Sequence, residues 1–240
     1  MLEERSDQPA LLVSDLRSGY RGADVLHDVQ LSVPEGAIYA VLGKNGMGKT
    51  TLLKTIMGLL PARRGSVTLF GLDVTAWPAY RIARHGVSYV PQEQAIFQDL
   101  NVEENLRLAL GTSAAFGERL DEVAGLFPFL KQRLNQTAGT LSGGEQKMLL
   151  VARALITAPR LILIDEISEG LQPAVVDQVR RVLLEVRQRG EATILLIEQN
   201  VSFAFSLADS YAILKLGEIV EGGVTAHDDA VQAVSRYLAI

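Results

Sequence analysis

Short apolar runs alternate along this chain with stretches whose apolar residues recur every three or four positions. The runs are mostly apolar and too short for buried helices, which predicts strands covered on both faces; they lie at 38–42, 87–90, 161–164 and 193–197. The stretches between the runs predict helices, and the one after 141–146 has the clearest period. Strands alternating with helices indicate an α/β fold built on a parallel sheet.

The N-terminal region has a different pattern. Residues 25–33 alternate between apolar and polar, which predicts an antiparallel strand with one exposed face, and further strands are predicted at 11–16 and 66–70. Tyr20 lies between the first two of these strands, on a predicted loop. An aromatic residue there is either an ordinary surface side chain or one that stacks on a purine ring.

The helix limits follow from capping and breaking residues. The helix after the strand 38–42 is predicted to end near Leu60, because a proline follows. Asn101 is a predicted N-cap of a helical region that reaches about Leu134 and is interrupted by small residues at 111–117. A later helix is predicted over 177–189, closed by a glycine.

Composition and charge narrow the classes of protein that fit. A chain of 240 residues with 48% apolar and 21% charged residues is expected to be globular. Its net charge of -5 argues against a dedicated nucleic-acid binder, since such proteins are usually basic. It contains no cysteine, so neither a disulfide nor a thiolate metal site can form. No signal peptide and no membrane-spanning run is recognisable, so we expect any membrane role to come through partner proteins.

Glycines and a lysine follow the first buried strand, in the sequence Gly43-Lys44-Asn45-Gly46-Met47-Gly48-Lys49-Thr50. A strand, a glycine-rich loop and a helix in this order are the context of a phosphate-binding P-loop. Backbone N–H groups of the loop and the N-terminus of the helix favour an anion. We expect Lys49 to reach the β- and γ-phosphates and the Thr50 hydroxyl to hold Mg²⁺.

Two further strands end in residues that suit phosphate chemistry. The run 161–164 ends in Asp165 and Glu166, which places both carboxylates at the same sheet edge as the P-loop. Asp165 is expected to hold Mg²⁺, directly or through water, and Glu166 to orient or deprotonate the attacking water. Gln92 follows the run 87–90 and is expected to line the same crevice. The alternative for these residues is a solvated loop with no role.

A second glycine-containing helix start, Leu141-Ser142-Gly143-Gly144-Glu145-Gln146, lies between these motifs. With the P-loop and the paired acids in this order, it resembles the signature sequence of the ATP-binding cassette (ABC) ATPases, and the resemblance covers about 11–240. It implies an α/β P-loop NTPase core with an N-terminal antiparallel β subdomain and an inserted α-helical subdomain. In one domain over 1–240, the core and β subdomain would comprise 1–92 and 160–240. The helical subdomain with the signature would comprise 93–159.

The resemblance also implies roles for single residues. The nucleotide, ATP, would be bound by Tyr20 on the adenine and by Gly43, Asn45, Gly46, Gly48, Lys49, Thr50 and Thr51 around the phosphates. Ser142, Gly143 and Gly144 would bind the ATP of a second cassette in a head-to-tail pair. The Mg²⁺ contacts would be Thr50, Gln92 and Asp165, and the catalytic residues would be Glu166, Gln199 and Lys49.

Three positions depart from the usual ABC pattern. Ile167 replaces the proline that commonly follows the Asp-Glu pair, and Gln172 replaces a common aspartate. Gln199 stands where the family has a histidine that senses the γ-phosphate, and glutamine can donate a hydrogen bond but cannot carry a proton charge. None of the three histidines, His27, His85 and His227, lies at a site that could substitute.

With these departures, the chain resembles one ATPase subunit of the bacterial branched-chain amino acid importers. Gln199, Met47 in the P-loop and the residues 145–148 match that subfamily, while 169–173 also fits the related urea and short-amide importers. The resemblance implies integral-membrane permease subunits, a second ABC ATPase subunit and, indirectly, an external solute-binding protein. It places the chain at the cytoplasmic face of the bacterial inner membrane, peripherally, with no nucleic-acid partner.

Two alternatives of other classes remain open at this point. One is a soluble ABC ATPase that acts on ribosomes or DNA, although such proteins usually carry two cassettes, a long coiled-coil arm or basic extensions. The other is a degenerate cassette that binds ATP while its partner hydrolyses it. The replacement at Gln199 favours the second alternative, whereas the intact Lys49, Asp165 and Glu166 favour hydrolysis.

Overall fold

Two sheets form the framework of the structure. The computed structural model describes residues 8–92, 96–110, 115–226 and 230–238. The first sheet is antiparallel, with the order β2-β1-β4-β5, and contains β1 (Leu11–Tyr20), β2 (Ala23–Val33), β4 (Ala62–Leu69) and β5 (Leu72–Asp73). The second has the order β10-β9-β3-β8-β7-β6 and contains β3 (Ile38–Leu42), β6 (Val87–Val90), β7 (Leu161–Asp165), β8 (Thr193–Glu198), β9 (Ser210–Lys215) and β10 (Glu218–Val224). Its strands pair in parallel except β10, which runs antiparallel to β9.

The helices connect the strands of the larger sheet and extend beyond it. They are α1 (Lys49–Ile56), α2 (Ala79–Arg84), α3 (Val102–Leu110), α4 (Phe116–Leu126), α5 (Phe129–Arg133), α6 (Gly143–Leu155), α7 (Pro173–Gln188), α8 (Val201–Phe205) and α9 (Ala230–Leu238). In the described part of the chain, no helix is both long and apolar enough to traverse a bilayer.

Apolar side chains cover both faces of the larger sheet. Leu161 and Leu163 of β7 pack in one cluster with α1 and the antiparallel sheet, while Ile162 and Ile164 pack in the other with α6 and α7. Because successive residues of a strand point to opposite faces, a strand covered on both sides must be apolar throughout. The predicted α/β fold with a parallel sheet and an antiparallel β region is confirmed.

The first strand is longer than predicted, and Tyr20 is not on a loop. β1 continues to Tyr20, which pairs with Ala23 of β2. Arg21 and Gly22 between them have φ angles of 45° and 89°. Two consecutive positive φ angles are typical of the two-residue hairpin turns whose twist matches the strands. The strand predicted at 66–70 likewise begins earlier, at Ala62, because its start pairs with the extension of β1.

Several helix limits were also predicted wrongly. α1 ends at Ile56 and not near Leu60, because the N–H groups of Leu59 and Leu60 fold back onto the Lys54 carbonyl. α7 begins at Pro173 and not at residue 177, since a proline at the first helical position loses no hydrogen bond.

The helical region predicted from 101 to 134 contains α3, α4 and α5 in its described part, with a break between α4 and α5 that was not predicted. Phe116 and Gly117 belong to α4, although they were predicted in a loop, and residues 111–114 lie outside the described part. The cap at Asn101 is confirmed: its Oδ1 accepts from the Glu104 N–H at 2.8 Å, and Glu104 Oε2 accepts from the Asn101 N–H at 2.8 Å. The subdomain limits at 92/93 and 159/160 stay predictions.

Candidate active site

The P-loop joins the end of β3 to the start of α1. Gly48 occupies the N-cap position of α1 with a φ of 103°, a left-handed conformation that glycine adopts without strain. The Lys49 side chain points back under the loop, and its Nζ donates to the carbonyl oxygens of Gly43 at 2.7 Å and Lys44 at 3.0 Å. Two carbonyl groups of the loop thus hold the Lys49 ammonium group close to the loop backbone.

Lys49 also forms a buried ion pair with Glu166. The Nζ–Oε1 distance is 2.8 Å, and the two side chains are 3% and 6% exposed. Glu166 follows β7 with a φ of 47°, and its N–H donates to the Ile197 carbonyl of β8 at 2.9 Å. A non-glycine residue in this left-handed region is strained, and such strain is concentrated at functional sites. The neighbouring strand therefore holds the carboxylate directly in front of the P-loop lysine.

Asp165 ends β7 and is fully buried. Its Oδ2 accepts from the Tyr89 hydroxyl at 3.3 Å, while its Oδ1 is buried with no hydrogen-bond partner among the described residues. Burial raises the pKa of Asp165, and the nearby Glu166 raises it further, while the Thr50 hydroxyl and Tyr89 oppose the rise. A buried carboxylate oxygen without a partner, beside a hydroxyl, matches the oxygen ligands that Mg²⁺ prefers. The residues present therefore fit a Mg²⁺ site.

Gln92 connects three parts of the site. Its Nε2 donates to Glu166 Oε2 at 3.0 Å and also to Glu169 Oε2. Its backbone carbonyl accepts from Lys147 Nζ on α6. Gln92 thus contacts the Glu166 carboxylate, Glu169 in the segment after Glu166, and α6, the helix that begins at the signature.

A cleft of about 410 Å³ brings most of the predicted nucleotide ligands together. Its lining residues are Tyr20, Val25, Asn45, Gly46, Gly48, Lys49, Thr50, Thr51, Gln92 and Glu166. Tyr20 is 43% exposed, so part of its side chain is accessible at the cleft. Gly43 contributes its carbonyl from behind the loop and does not line the cleft.

The signature residues lie outside that cleft. Ser142 caps α6: its Oγ accepts from the Glu145 N–H at 3.3 Å, and Glu145 Oε2 accepts from the Ser142 N–H at 2.9 Å. Ser142, Gly143 and Gly144 line a separate groove of about 500 Å³ together with Gln92 and residues of the α7 start. A single chain therefore presents the P-loop and the signature at two different places.

Gly144 is in close contact with α7 of the same chain. A Cβ at this position would lie 2.7 Å from Val175 Cγ2, whereas one at Gly143 would meet nothing within 4 Å. A side chain at the second glycine of the signature would therefore displace Val175 of the same chain, whatever ligand the loop binds.

Gln199 is exposed and lines a cleft of about 460 Å³ with Glu166, Ser168 and Glu198. The structure thus brings Gln199 and Glu166 to one cleft, which Lys49 does not line. His27 lies on β2 and His85 follows α2, so neither takes the place of a switch histidine. His227 lies outside the described residues.

Sequence reasoning missed Tyr89, Ser168 and the role of Glu198. Glu198 is 1% exposed, and both of its carboxylate oxygens accept hydrogen bonds from Ser168. Its signal was present, because Glu198 ends an apolar strand in the same way as Asp165 ends β7. Nothing in the pattern indicated that the carboxylate of Glu198 turns inward.

Comparison with known proteins identifies the family. A family model described as "ABC transporter" matches residues 26–169. This chain belongs to the ABC transporter family. The resemblance inferred from the motifs is confirmed.

Relatives support this membership over most of the chain. The high-affinity branched-chain amino acid transport ATP-binding protein BraG of Pseudomonas aeruginosa is 40% identical over 88% of this chain and 91% of its own length. The probable branched-chain amino acid transport ATP-binding protein LivF of Archaeoglobus fulgidus is 37% identical over 87% of this chain and 89% of its own length. The crystal structure of a nucleotide-free ATP-binding cassette from an ABC transporter has the same fold, with a TM-score of 0.87 at 23% identity, over 97% of this chain and 99% of that one.

Proposed function

We propose that this ABC ATPase is the ATP-binding and ATP-hydrolysing subunit of an importer for branched-chain or related amino acids. The observation that carries the hydrolytic part is the arrangement of Lys49, Gln92 and Glu166 around one cleft beside the buried Asp165. The solute class is supported by the two transport ATP-binding relatives, whose printed names both specify branched-chain amino acids. Those relatives do not favour the urea alternative or a role on ribosomes or DNA.

The site residues take the roles that their positions suit. Tyr20 stacks on the adenine, and the loop N–H groups around Gly46 and Gly48 bind the phosphates. Lys49 leaves the carbonyl oxygens of the loop and Glu166 to contact the β- and γ-phosphates. Its positive charge then neutralises phosphate charge in place of the carboxylate.

Glu166 becomes the general base once Lys49 has turned to the phosphates. Its carboxylate then accepts the proton of the attacking water, with Gln92 donating to the other oxygen and Gln199 approaching from the adjacent cleft. Mg²⁺, held by Thr50, Asp165 and Gln92, would supply charge compensation on the phosphates.

Two cassettes complete each ATP site in this proposal. The P-loop and the signature lie in separate grooves of one chain, so Ser142, Gly143 and Gly144 are positioned to serve the nucleotide of a second ABC ATPase subunit. The N-terminus of α6 would add a second positive helix end to the triphosphate. The chain acts as one domain, with 93–159 as the helical subdomain that carries the signature.

The remaining partners follow from the importer arrangement. Integral-membrane permease subunits would hold this chain at the cytoplasmic face of the bacterial inner membrane, and an external solute-binding protein would deliver the solute. Solute recognition would then reside in those partners and not in this chain.

Purification of the tagged chain from its native membranes, in mild detergent with mass spectrometry, tests the assembly. We expect two polytopic membrane proteins and a second, distinct ABC ATPase. The complex is then reconstituted in liposomes with its solute-binding protein, and uptake of leucine, isoleucine, valine, urea and acetamide is measured with ATP inside. ATP-dependent uptake of urea alone would contradict the amino-acid assignment, and recovery with ribosomes would contradict the importer role.

A further inference from the structure

Glu198 is a buried carboxylate that the roles above do not use. It ends β8, next to Gln199, and is 1% exposed. Its Oε1 accepts from the Ser168 N–H at 3.0 Å, and its Oε2 accepts from the Ser168 hydroxyl at 2.9 Å. A buried carboxylate is costly unless its oxygens are hydrogen-bonded, so this arrangement stabilises one position of Ser168 relative to β8.

Ser168 belongs to the same short segment as Glu166. The segment leaves β7 with Glu166 in a strained, left-handed conformation, and strain of this kind persists only where the surroundings hold it. Two contacts with β8 do so: the Glu166 N–H donates to the Ile197 carbonyl at 2.9 Å, and Ser168 donates twice to Glu198. Consecutive residues of β8 therefore hold the segment that carries Glu166 at two points, the backbone of Glu166 and both donors of Ser168.

We propose that Glu198 is a positioning residue for ATP hydrolysis, which fixes Ser168 and through it the catalytic carboxylate of Glu166. The inference rests on the proposed role of Glu166 as general base. Gln199 follows Glu198 directly. The hydrogen bonds between Glu198 and Ser168, the anchor, therefore also hold the segment after β8 against the segment after β7. The carboxylate thus supplies a fixed connection at a site where the chain lacks the usual switch histidine.

ATP binding and ATP turnover should respond differently to its removal. Neither Glu198 nor Ser168 is among the described residues that line the 410 Å³ cleft, whereas Glu166 is. Loss of the anchor should therefore leave nucleotide affinity close to that of the wild type. A small displacement of a catalytic group can lower the rate on the order of a hundredfold, so we expect kcat to fall by about ten- to a hundredfold.

Three single variants, one double variant and one control of the full-length chain test the proposal. Glu198→Ala removes both acceptors, Ser168→Ala removes one donor, and Glu198→Gln keeps an acceptor for the N–H while its amide donates to the hydroxyl. Asp209→Asn is the control, since Asp209 accepts a backbone N–H from Ile38 at 3.0 Å and pairs with Arg187 at the end of β3 opposite to the P-loop. Hydrogen exchange of the peptide 165–172, the Kd of ATP, and kcat and KM are measured on each.

We expect faster exchange of 165–172 and a reduced kcat in E198A, with Kd within about twofold of the wild type. E198Q should recover most of the slow exchange and most of kcat. The double variant E198A/S168A should have the same exchange and kcat as E198A, and D209N should change neither the exchange nor kcat. Unchanged exchange in E198A would overturn the anchor, and faster exchange with unchanged kcat would overturn the positioning role. If the wild type hydrolysed no ATP, either as the purified chain or in the membrane complex, the proposed function would be contradicted. The exchange of 165–172 in E198A would still show whether Glu198 anchors Ser168.

Discussion

Lys49 Nζ lies 2.8 Å from Glu166 Oε1, so the proposed phosphate-binding cation and the proposed general base neutralise each other. Neither charge is then available for its role on ATP. In the proposed function the triphosphate replaces the carboxylate as the partner of Lys49, and this exchange would free Glu166 to accept a proton from water. The ion pair thus keeps both groups inside the cleft with their charges compensated until nucleotide arrives.

Breaking this pair from one side should destabilise the protein. Lys49→Ala leaves Glu166 as an uncompensated buried charge, which typically costs about 3 kcal/mol of unfolding free energy. Adding Glu166→Gln removes that charge, so the double variant K49A/E166Q should recover most of the loss. Urea denaturation of the wild type, K49A, E166Q and K49A/E166Q without nucleotide measures the free energy of unfolding of each. Simple additivity of the two losses would show that the groups do not interact.

Asp165 should be a liability for stability until Mg²⁺ binds. Its Oδ1 is buried without a partner among the described residues, so Asp165→Asn should not lower the melting temperature of the nucleotide-free protein. The same variant should lose most of the extra stabilisation that ATP gives with Mg²⁺ over ATP with EDTA. Thermal unfolding with each addition measures both effects. A D165N protein that retains the full Mg²⁺-dependent increment would refute the metal role.

Gln199 cannot titrate near neutral pH, so it contributes no ionisation to the rate profile in that range. Gln199→His introduces a side chain with an ordinary pKa of about 6.5 and should add a new limb to the profile of kcat between about pH 5.5 and 7.5. Gln199→Asn, which also cannot titrate, is the control. A Q199H profile of the same shape as the wild type would show that this position does not contact the reacting groups.

The two signature glycines should respond differently to an added methyl group. Gly144→Ala places a Cβ 2.7 Å from Val175 Cγ2, and such overpacking typically costs about 1–3 kcal/mol. Gly143→Ala meets nothing within 4 Å and should leave the melting temperature nearly unchanged. Val175→Ala in the G144A background should restore stability. Equal melting temperatures for G143A and G144A would contradict the close packing of α6 on α7.

The sequence predicted the elements whose pattern is local and the site residues that lie on them. β6 was predicted with its observed limits, because an apolar run with defined ends determines a buried strand. The extension of β1 to Tyr20 was missed, since it depends on pairing with β2 across a hairpin turn. The sequence also predicted Asp165 and Glu166 at a strand end, and the structure has Asp165 as the last residue of β7 with Glu166 directly after it.

Contacts between distant residues could not be predicted. Nothing local shows that Lys49 is paired with Glu166, that Gln92 reaches Glu169, or that the side chain of Glu198 turns inward to Ser168. These depend on which strand ends become neighbours in the sheet. The order β3-β8-β7 brings the P-loop, Glu198 and Glu166 to one edge, and that order is a property of the fold.

In the proposed function, Glu166 activates the water that attacks ATP bound in the cleft next to Lys49. The most direct measurement is ATP binding and ATP turnover by Glu166→Gln beside the wild type, in the purified chain and in the membrane complex, with the exposed Glu191→Gln as control. We predict that E166Q binds MgATP with wild-type affinity or better while kcat falls at least about a hundredfold, within the range expected for loss of a general base. Undiminished ATP turnover in E166Q would show that Glu166 is not the general base and that another group activates the water.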